Sequence, residues 1–312
     1  MGALNQERSF LVSVVLTDQP WKTMMQEMKK SRTSNEFQID RLSDLPDCLI
    51  HNILVLLDIK TAIQTCVLSK RWNNLWTSLP QLHFDSRSFN KLTPFKKFVL
   101  NVLSRCKDNG LFSLRFFQAS MDRSFIHRVL RYAASHGVQE VTLQHHLNGL
   151  HIAHFLCSCK SLKTLELQAC KLSESNFFEP LSKCVNLENL KIFACNVECG
   201  KTIKLSAPRL VNLTLAGTVK NCLPGQKNQV VLCAPRLSSF FYVGGYPLAL
   251  SMNGCPILQR MGICLDAPSN KTQDNVEAYY SDTKNLLQEV CCYAKIIQIQ
   301  LDSWEVRMQS FF

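Results

Sequence analysis

Leu181-Ser182-Lys183-Cys184-Val185-Asn186-Leu187-Glu188-Asn189-Leu190-Lys191-Ile192 decides the fold, because it closes on the spacing Leu-x-x-Leu-x-Ile and that spacing recurs. It stands at Leu162-Leu165-Leu167, Leu187-Leu190-Ile192, Leu210-Leu213-Leu215, Leu237-Phe240-Tyr242 and Leu258-Met261-Ile263, in steps of 25, 23, 27 and 21 residues. Weaker copies lie at Leu111-Leu114-Phe116, Val138-Val141-Leu143 and Ile296-Ile299-Leu301. Alternation of period two within each copy reads as a short strand with one buried face.

A repeat of about 20 to 29 residues with one short strand is the pattern of a leucine-rich repeat. The fold class expected is therefore α/β: an N-terminal helical module, then over residues 136–305 a solenoid whose strands stack into a curved parallel sheet. The apolar residues of each copy face inward. Their neighbours face outward on the concave side: Glu140, Thr142, Gln144; Thr164, Glu166, Gln168; Asn189, Lys191, Phe193; Asn212, Thr214, Ala216; Ser239, Phe241, Val243. Such a surface is where a repeat protein binds a partner, and Thr164, Glu166, Asn189, Lys191, Phe193, Phe241 and Val243 are the substrate-binding candidates. Phe193, Phe241 and Val243 place apolar surface where a solvated strand normally shows polar groups.

The repeat phase also accounts for several of the fifteen cysteines. Cys159, Cys184 and Cys255 each precede the first leucine of a copy by three residues, and Cys170 and Cys195 each follow its last apolar position by three. An odd cysteine count and no secretory signal fit reduced thiols in the cytoplasm or nucleus rather than a secreted disulfide framework. The longest strongly apolar runs, Phe10 to Leu16 and Ile53 to Leu57, fall far short of the roughly 20 residues that cross a bilayer. His145, His146, His151, His154, Cys157 and Cys159 crowd six possible ligands into one stretch, but without the Cys-x2-Cys pair that zinc favours alongside His-x3-5-His. No metal or cofactor is expected. Gly-x-Ser-x-Gly, His-Glu-x-x-His, Walker and Gly-x-Gly-x-x-Gly motifs are absent, so the chain reads as a non-enzyme.

Of the net charge of +11, most sits in residues 85–135, with ten Lys/Arg against three Asp/Glu. A polyanion partner is one reading of that stretch. The other, favoured by the spacing, is a basic helical linker whose Phe95, Phe98, Val99, Val102 and Ile126, Val129, Leu130, Ala133 form two buried stripes and leave the cations in water.

Residues 40–84 read as three short helices. Ser43 or Asp44 is the expected cap, Pro46 the first helical position, and the first helix runs to about Leu57; a second lies around Thr61 to Cys66, and Ser69 caps a third with Trp72, Leu75 and Trp76. Eight of the thirteen residues from Leu45 to Leu57 are Leu, Ile or Val, the last five consecutive. Apolar residues at successive steps of about 100° cover the whole circumference, so this helix needs burial on more than one side. A module this small cannot supply it alone.

Asp40-Arg41-Leu42-Ser43-Asp44-Leu45-Pro46-Asp47, Leu49-Ile50-His51-Asn52-Ile53-Leu54, Val67-Leu68-Ser69-Lys70-Arg71-Trp72 and Leu75-Trp76 resemble the F-box of plant F-box/leucine-rich-repeat proteins. Leu181 to Leu190 and Ser206-Ala207-Pro208-Arg209-Leu210-Val211-Asn212-Leu213 resemble the repeats of the same family, in which many members add a C-terminal FBD region that would begin where this chain reaches Phe312. The resemblance spans about 40 to 305 and leaves residues 1–39 as a flexible N-terminal extension and 306–312 as a tail. It implies docking on a Skp-type adaptor, and through it a cullin-RING ubiquitin ligase, with Leu45, Pro46, Ile50, Ile53, Leu54, Leu68 and Trp72 as adaptor contacts. The function expected is a substrate-recruiting subunit of an SCF-type ligase. The alternatives are an F-box scaffold without a role in degradation and a nucleic-acid-binding repeat protein using residues 85–135.

Overall fold

The structure is a computed structural model that describes residues 44–106, 110–118, 123–145, 155, 158–169, 178–194, 202–217, 229–245, 247–252, 254–265 and 273–301. It divides into two compact units with the boundary between Asn109 and Gly110, inside the basic segment. Among the described residues, no helix is long and apolar enough to cross a membrane.

In the first unit, α1 (Asp47–Val55) is followed by α2 (Ile59–Gln64), short 3-10 segments at Thr65–Val67 and Trp72–Ser78, β1 (Gln81–Asp85) and α3 (Leu92–Arg105). Pro46 is the N-cap of α1 rather than its first helical residue, and Asp44 does not cap it; Ser43, the other expected cap, lies outside the described residues. α2 starts two residues earlier than the sequence suggests because Asp58 caps it, its side chain accepting from the N–H groups of Lys60 and Thr61 at 3.0 and 3.1 Å. The third helix is a 3-10 segment opening after Arg71, and the buried Ser69 hydroxyl has no hydrogen-bond partner, so it caps nothing. The core of this unit includes Ile50, Leu54, Ile59, Trp72, Trp76, Leu82, Phe84, Phe95 and Val99, with Phe84 and Phe89 edge-on or tilted against Phe98. The buried stripe of α3 is Phe95, Val99, Val102 and Leu103, with the expected Phe98 only half-buried, and Lys97 and Arg105 are exposed.

The second unit begins with β2 (Ser113–Gln118), α4 (Arg123–Ser135), β3 (Glu140–His145), β4 (Thr164–Gln168), a 3-10 turn at Glu179–Lys183 and β5 (Asn189–Phe193). Seven strands follow: β6 (Thr202–Ser206), β7 (Asn212–Ala216), β8 (Gln229–Cys233), β9 (Ser239–Gly244), β10 (Ala249–Ser251), β11 (Leu258–Leu265) and, after α5 (Gln273–Val290), β12 (Ala294–Leu301). β2, β3, β4, β5, β7, β9, β11 and β12 hydrogen-bond in that order, every pair parallel, into an open sheet. The strong copies of the repeat coincide with the ladder: Leu165, Leu190, Leu213, Phe240 and Met261 are cross-strand partners, as are Leu167, Ile192, Leu215, Tyr242 and Ile263. All are buried. Arg128 and Arg131 of α4 are exposed while Ile126, Val129, Leu130 and Ala133 are buried.

The weak copy at Ile296-Ile299-Leu301 is displaced. Ile297 pairs with Met261 and Ile299 with Ile263, two residues from the expected frame, because Leu258 meets Ala294 directly after α5. In this register Ile296 stands opposite Arg260 and is 56% exposed, and Ile299, opposite Ile263, is 44% exposed. The repeat spacing also gives no warning of a second sheet, β10-β8-β6, which is parallel and buries Ile203, Leu205, Val230, Leu232 and Leu250. Its strands precede Ala207-Pro208-Arg209-Leu210 and Ala234-Pro235-Arg236-Leu237, whose recurrence is the signal that would have revealed it.

Three strands end in the same way. Ala169, Ala194 and Gly217 leave β4, β5 and β7 with φ of 53°, 49° and 60°, and their N–H groups donate to Phe193, Ala216 and Val243 at 2.9, 2.7 and 2.6 Å. Alanine in the left-handed region costs roughly 1 kcal/mol, which the continued cross-strand bonding offsets.

Candidate adaptor-docking and substrate-binding faces

Helix α1 has two apolar sides with different fates. Ile50 and Leu54 are fully buried, whereas Leu49, Ile53 and Leu56 are 46, 38 and 86% exposed. At about 100° per residue the exposed three lie within roughly 60° of one another, so they form one stripe. Leu68 adds a further 45%-exposed apolar side chain in the same unit, Pro46 is exposed and Leu45 half-buried. Of the adaptor candidates, Pro46, Ile53, Leu68 and part of Leu45 present surface. Ile50, Leu54 and Trp72 do not, and this corrects their expected part as contacts: they are the floor beneath the stripe. The reading of residue types missed Leu49 and Leu56, although their spacing from Ile53 by four and three is visible in the sequence.

Polar ties hold α1 in place under that stripe. The His51 ring bonds through Nδ1 to the Asp47 carbonyl at 3.0 Å and through Nε2 to Ser78 Oγ at 2.8 Å. Arg71 donates Nε and Nη2 to Asp47 Oδ1 at 2.8 and 2.6 Å. Lys60 Nζ donates to the Ser88 carbonyl at 2.6 Å and sits 4.5 Å from the centre of the Phe89 ring; its burial lowers its pKa, with Asp58 opposing. Burial alone raises the Asp85 carboxyl, but the Arg87 guanidinium, with Nε at 3.0 Å and Nη2 at 2.7 Å, outweighs it and leaves the pKa below the ordinary value.

In the second unit the residues expected to point outward do so, in three cross-strand rows. Thr164, Asn189, Asn212 and Ser239 form the first, in which Asn189 Nδ2 donates to Thr164 Oγ1 at 3.1 Å, Asn212 Nδ2 to Asn189 Oδ1 at 2.7 Å, and Ser239 Oγ to Asn212 Oδ1. Glu166, Lys191, Thr214, Phe241 and Gly262 form the second, with Lys191 Nζ 4.0 Å from Glu166 Oε2 and Gln168 donating to Glu166 Oε1 at 2.5 Å. Gln168, Phe193, Ala216 and Val243 form the third. The face is thus polar and internally bonded at β4 and β5 and apolar at β9, where Phe241 and Val243 are 39 and 37% exposed. Gly262 belongs to it and was not foreseen; a glycine inside a strand is the sequence signal for close approach.

Cys159 and Cys184 are buried at the expected structural positions. His146, His151, His154 and Cys157 lie outside the described residues, among which there is no cluster of three or more His, Cys, Asp or Glu able to hold a metal.

The F-box domain family matches residues 42–84, so the module holding the α1 stripe is an F-box domain. The chain is 32% identical over 214 residues to an F-box/FBD/LRR-repeat protein of Arabidopsis thaliana, covering 63% of this chain and 41% of that protein. It is 25% identical over 258 residues to another F-box/FBD/LRR-repeat protein of that plant (71% and 61%), and 28% identical over 172 residues to its F-box/LRR-repeat protein 13 (53% and 37%). The chain is thus similar to plant F-box/LRR-repeat proteins, and it matches less than two thirds of the length of these curated relatives.

Proposed function

We propose that this chain is a non-catalytic, substrate-recruiting subunit of an SCF-type cullin-RING ubiquitin ligase, acting in the cytoplasm or nucleus. The observation that carries the reading is the exposed Leu49-Ile53-Leu56 stripe on a helix whose other side is already buried, inside an F-box domain. A stripe of this kind, with Pro46 at its start and Leu68 in the same unit, suits an apolar groove on a Skp-type adaptor. The parallel ladder of the second unit is then a leucine-rich-repeat solenoid, and its outward rows hold a protein substrate. Thr164, Glu166, Asn189 and Lys191 supply hydrogen bonds and charge. Phe193, Phe241 and Val243 supply the apolar anchor. The chain contributes proximity rather than bond chemistry, bringing a substrate lysine to a ubiquitin-charged enzyme.

Reconstitution with a Skp-type adaptor and cullin tests this. The wild-type chain assembles, and proteins captured through the second unit accumulate when degradation is blocked. A folded chain that fails to bind any Skp-type adaptor would overturn the proposal.

A further inference from the structure

Outside both faces, two thiols meet. Cys233 ends β8 and is exposed; Cys255 follows β10 and is half-buried. β10 runs parallel to β8 with Ser251 opposite Val231, and the chain then folds back as the Cys255 N–H donates to the Met252 carbonyl at 2.9 Å. That turn presses residue 254 onto Cys233: a β-carbon on Gly254 would stand 2.8 Å from Cys233 Sγ and 3.0 Å from its Cα. The Cys255 thiol in turn lies 3.7 Å from the carbonyl oxygen of Leu232, the residue joined to Cys233. Each cysteine therefore packs on the chain neighbour of the other. Burial raises the Cys255 pKa, a hydrogen bond to the Ala234 backbone opposes it, and repulsion from the Cys233 thiolate adds a smaller rise, a further sign of their proximity.

At each of these places a preceding repeat stacks without a thiol, although Cys159 and Cys184 hold the place of Cys255 in earlier copies. Ser206-Ala207-Pro208-Arg209-Leu210, Cys233-Ala234-Pro235-Arg236-Leu237 and Cys255-Pro256-Ile257-Leu258 align on their leucines. Serine thus occupies the place of Cys233 one repeat earlier, and alanine occupies the place of Cys255 in both preceding repeats.

We propose that Cys233 and Cys255 are a peroxide-sensitive pair that closes reversibly into an intramolecular disulfide. The exposed Cys233 thiolate attacks a peroxide oxygen, the O–O bond breaks, hydroxide leaves, and the sulfur is oxidised by two electrons to a sulfenic acid. Cys255 then attacks that sulfur: the S–S bond forms, the S–O bond breaks, and the departing hydroxide takes the Cys255 proton as water. Two equivalents of a small thiol such as glutathione reverse the step by exchange and leave as their own disulfide. Closure ties the end of β8 to the turn after β10 and so staples the β10-β8-β6 sheet at that edge.

Hydrogen peroxide on the full-length chain, followed by peptide mapping with and without dimedone, tests the pair. The wild-type chain yields a peptide cross-linked between Cys233 and Cys255 that disappears on reduction and little dimedone adduct at Cys233. Cys255→Ala loses the cross-link and accumulates the dimedone adduct at Cys233, while Cys233→Ser yields neither. Both variants carry residues that other repeats already hold at these places, and unchanged thermal unfolding verifies that they fold. A dimedone adduct at Cys233 in the wild-type chain equal to that in Cys255→Ala would overturn the proposal. So would a cross-link that joins other cysteines, such as Cys291 or Cys292, in place of this one.

Discussion

The ring of Phe241 lies over Gly262, its cross-strand partner, with one ring carbon 2.7 Å from where a β-carbon on residue 262 would stand. The glycine makes the seat on which the aromatic ring rests, so the apolar end of the outward face depends on a missing side chain. Gly262→Ala pushes the ring off that seat. Because Phe241 is 39% exposed, the ring can swing into water, and stability should change by no more than about 0.5 kcal/mol. Substrate capture should fall as much as it does in Phe241→Ala combined with Phe193→Ala, with adaptor binding intact. Equal loss of capture and adaptor binding, or a large drop in Tm, would show these rings to be core.

Gly254→Ala sets the contrast. Its β-carbon would meet Cys233 Cα at 3.0 Å, and backbone cannot swing aside. Overpacking of this kind costs about 1 to 3 kcal/mol, to be read from urea unfolding against Gly262→Ala; a neutral result would mean that the turn after Met252 relaxes.

The two sides of α1 should separate by mutation. Ile53→Glu leaves the core untouched and introduces a carboxylate into the proposed apolar contact, weakening adaptor binding on the order of a thousandfold. Ile50→Ala, beneath the stripe, should cost about 2 to 5 kcal/mol of stability instead. Titration calorimetry with the adaptor and thermal unfolding distinguish them; unchanged binding by folded Ile53→Glu excludes the stripe as the contact.

Asn212 sits between Asn189 and Ser239 in the polar row. Removing it in Asn212→Ala strands partners on both sides, yet the row is accessible to water, so the loss should be about 0.5 to 1.5 kcal/mol. A loss several times larger in urea titration would show that the row, rather than the inward leucines, holds these strands in register.

Stability should fall at alkaline pH. Burial pushes the Cys66 and Cys106 thiols from 9.0 up to about 11, so the folded chain holds these protons more tightly than the unfolded one. Unfolding then releases protons between pH 9 and 11, and stability declines as pH rises through that window; below it both thiols are neutral in both states and contribute no slope. The urea midpoint of Cys106→Ala should decline less than that of the wild-type chain over the same range. Parallel declines would remove Cys106 as a source.

Strand positions, their inward and outward faces and the need of α1 for two-sided burial were legible in the residues, because spacings of two and 3.6 follow from local backbone geometry. Leu165, Leu190, Leu213, Phe240 and Met261 met across the ladder as their spacing implied. Other features came only with the tertiary structure. Which side of α1 is covered depends on the chain packed beneath it, so Ile50 and Leu54 could not be told from Leu49 and Ile53 by residue type. The two-residue slip of β12 follows from where α5 delivers the chain, and the hydrophobic pattern allows it because a shift of two leaves every side chain on its own face. The seat under Phe241 and the meeting of Cys233 with Cys255 likewise join residues more than twenty apart, and such distances are set by packing between elements rather than by any periodicity along the chain.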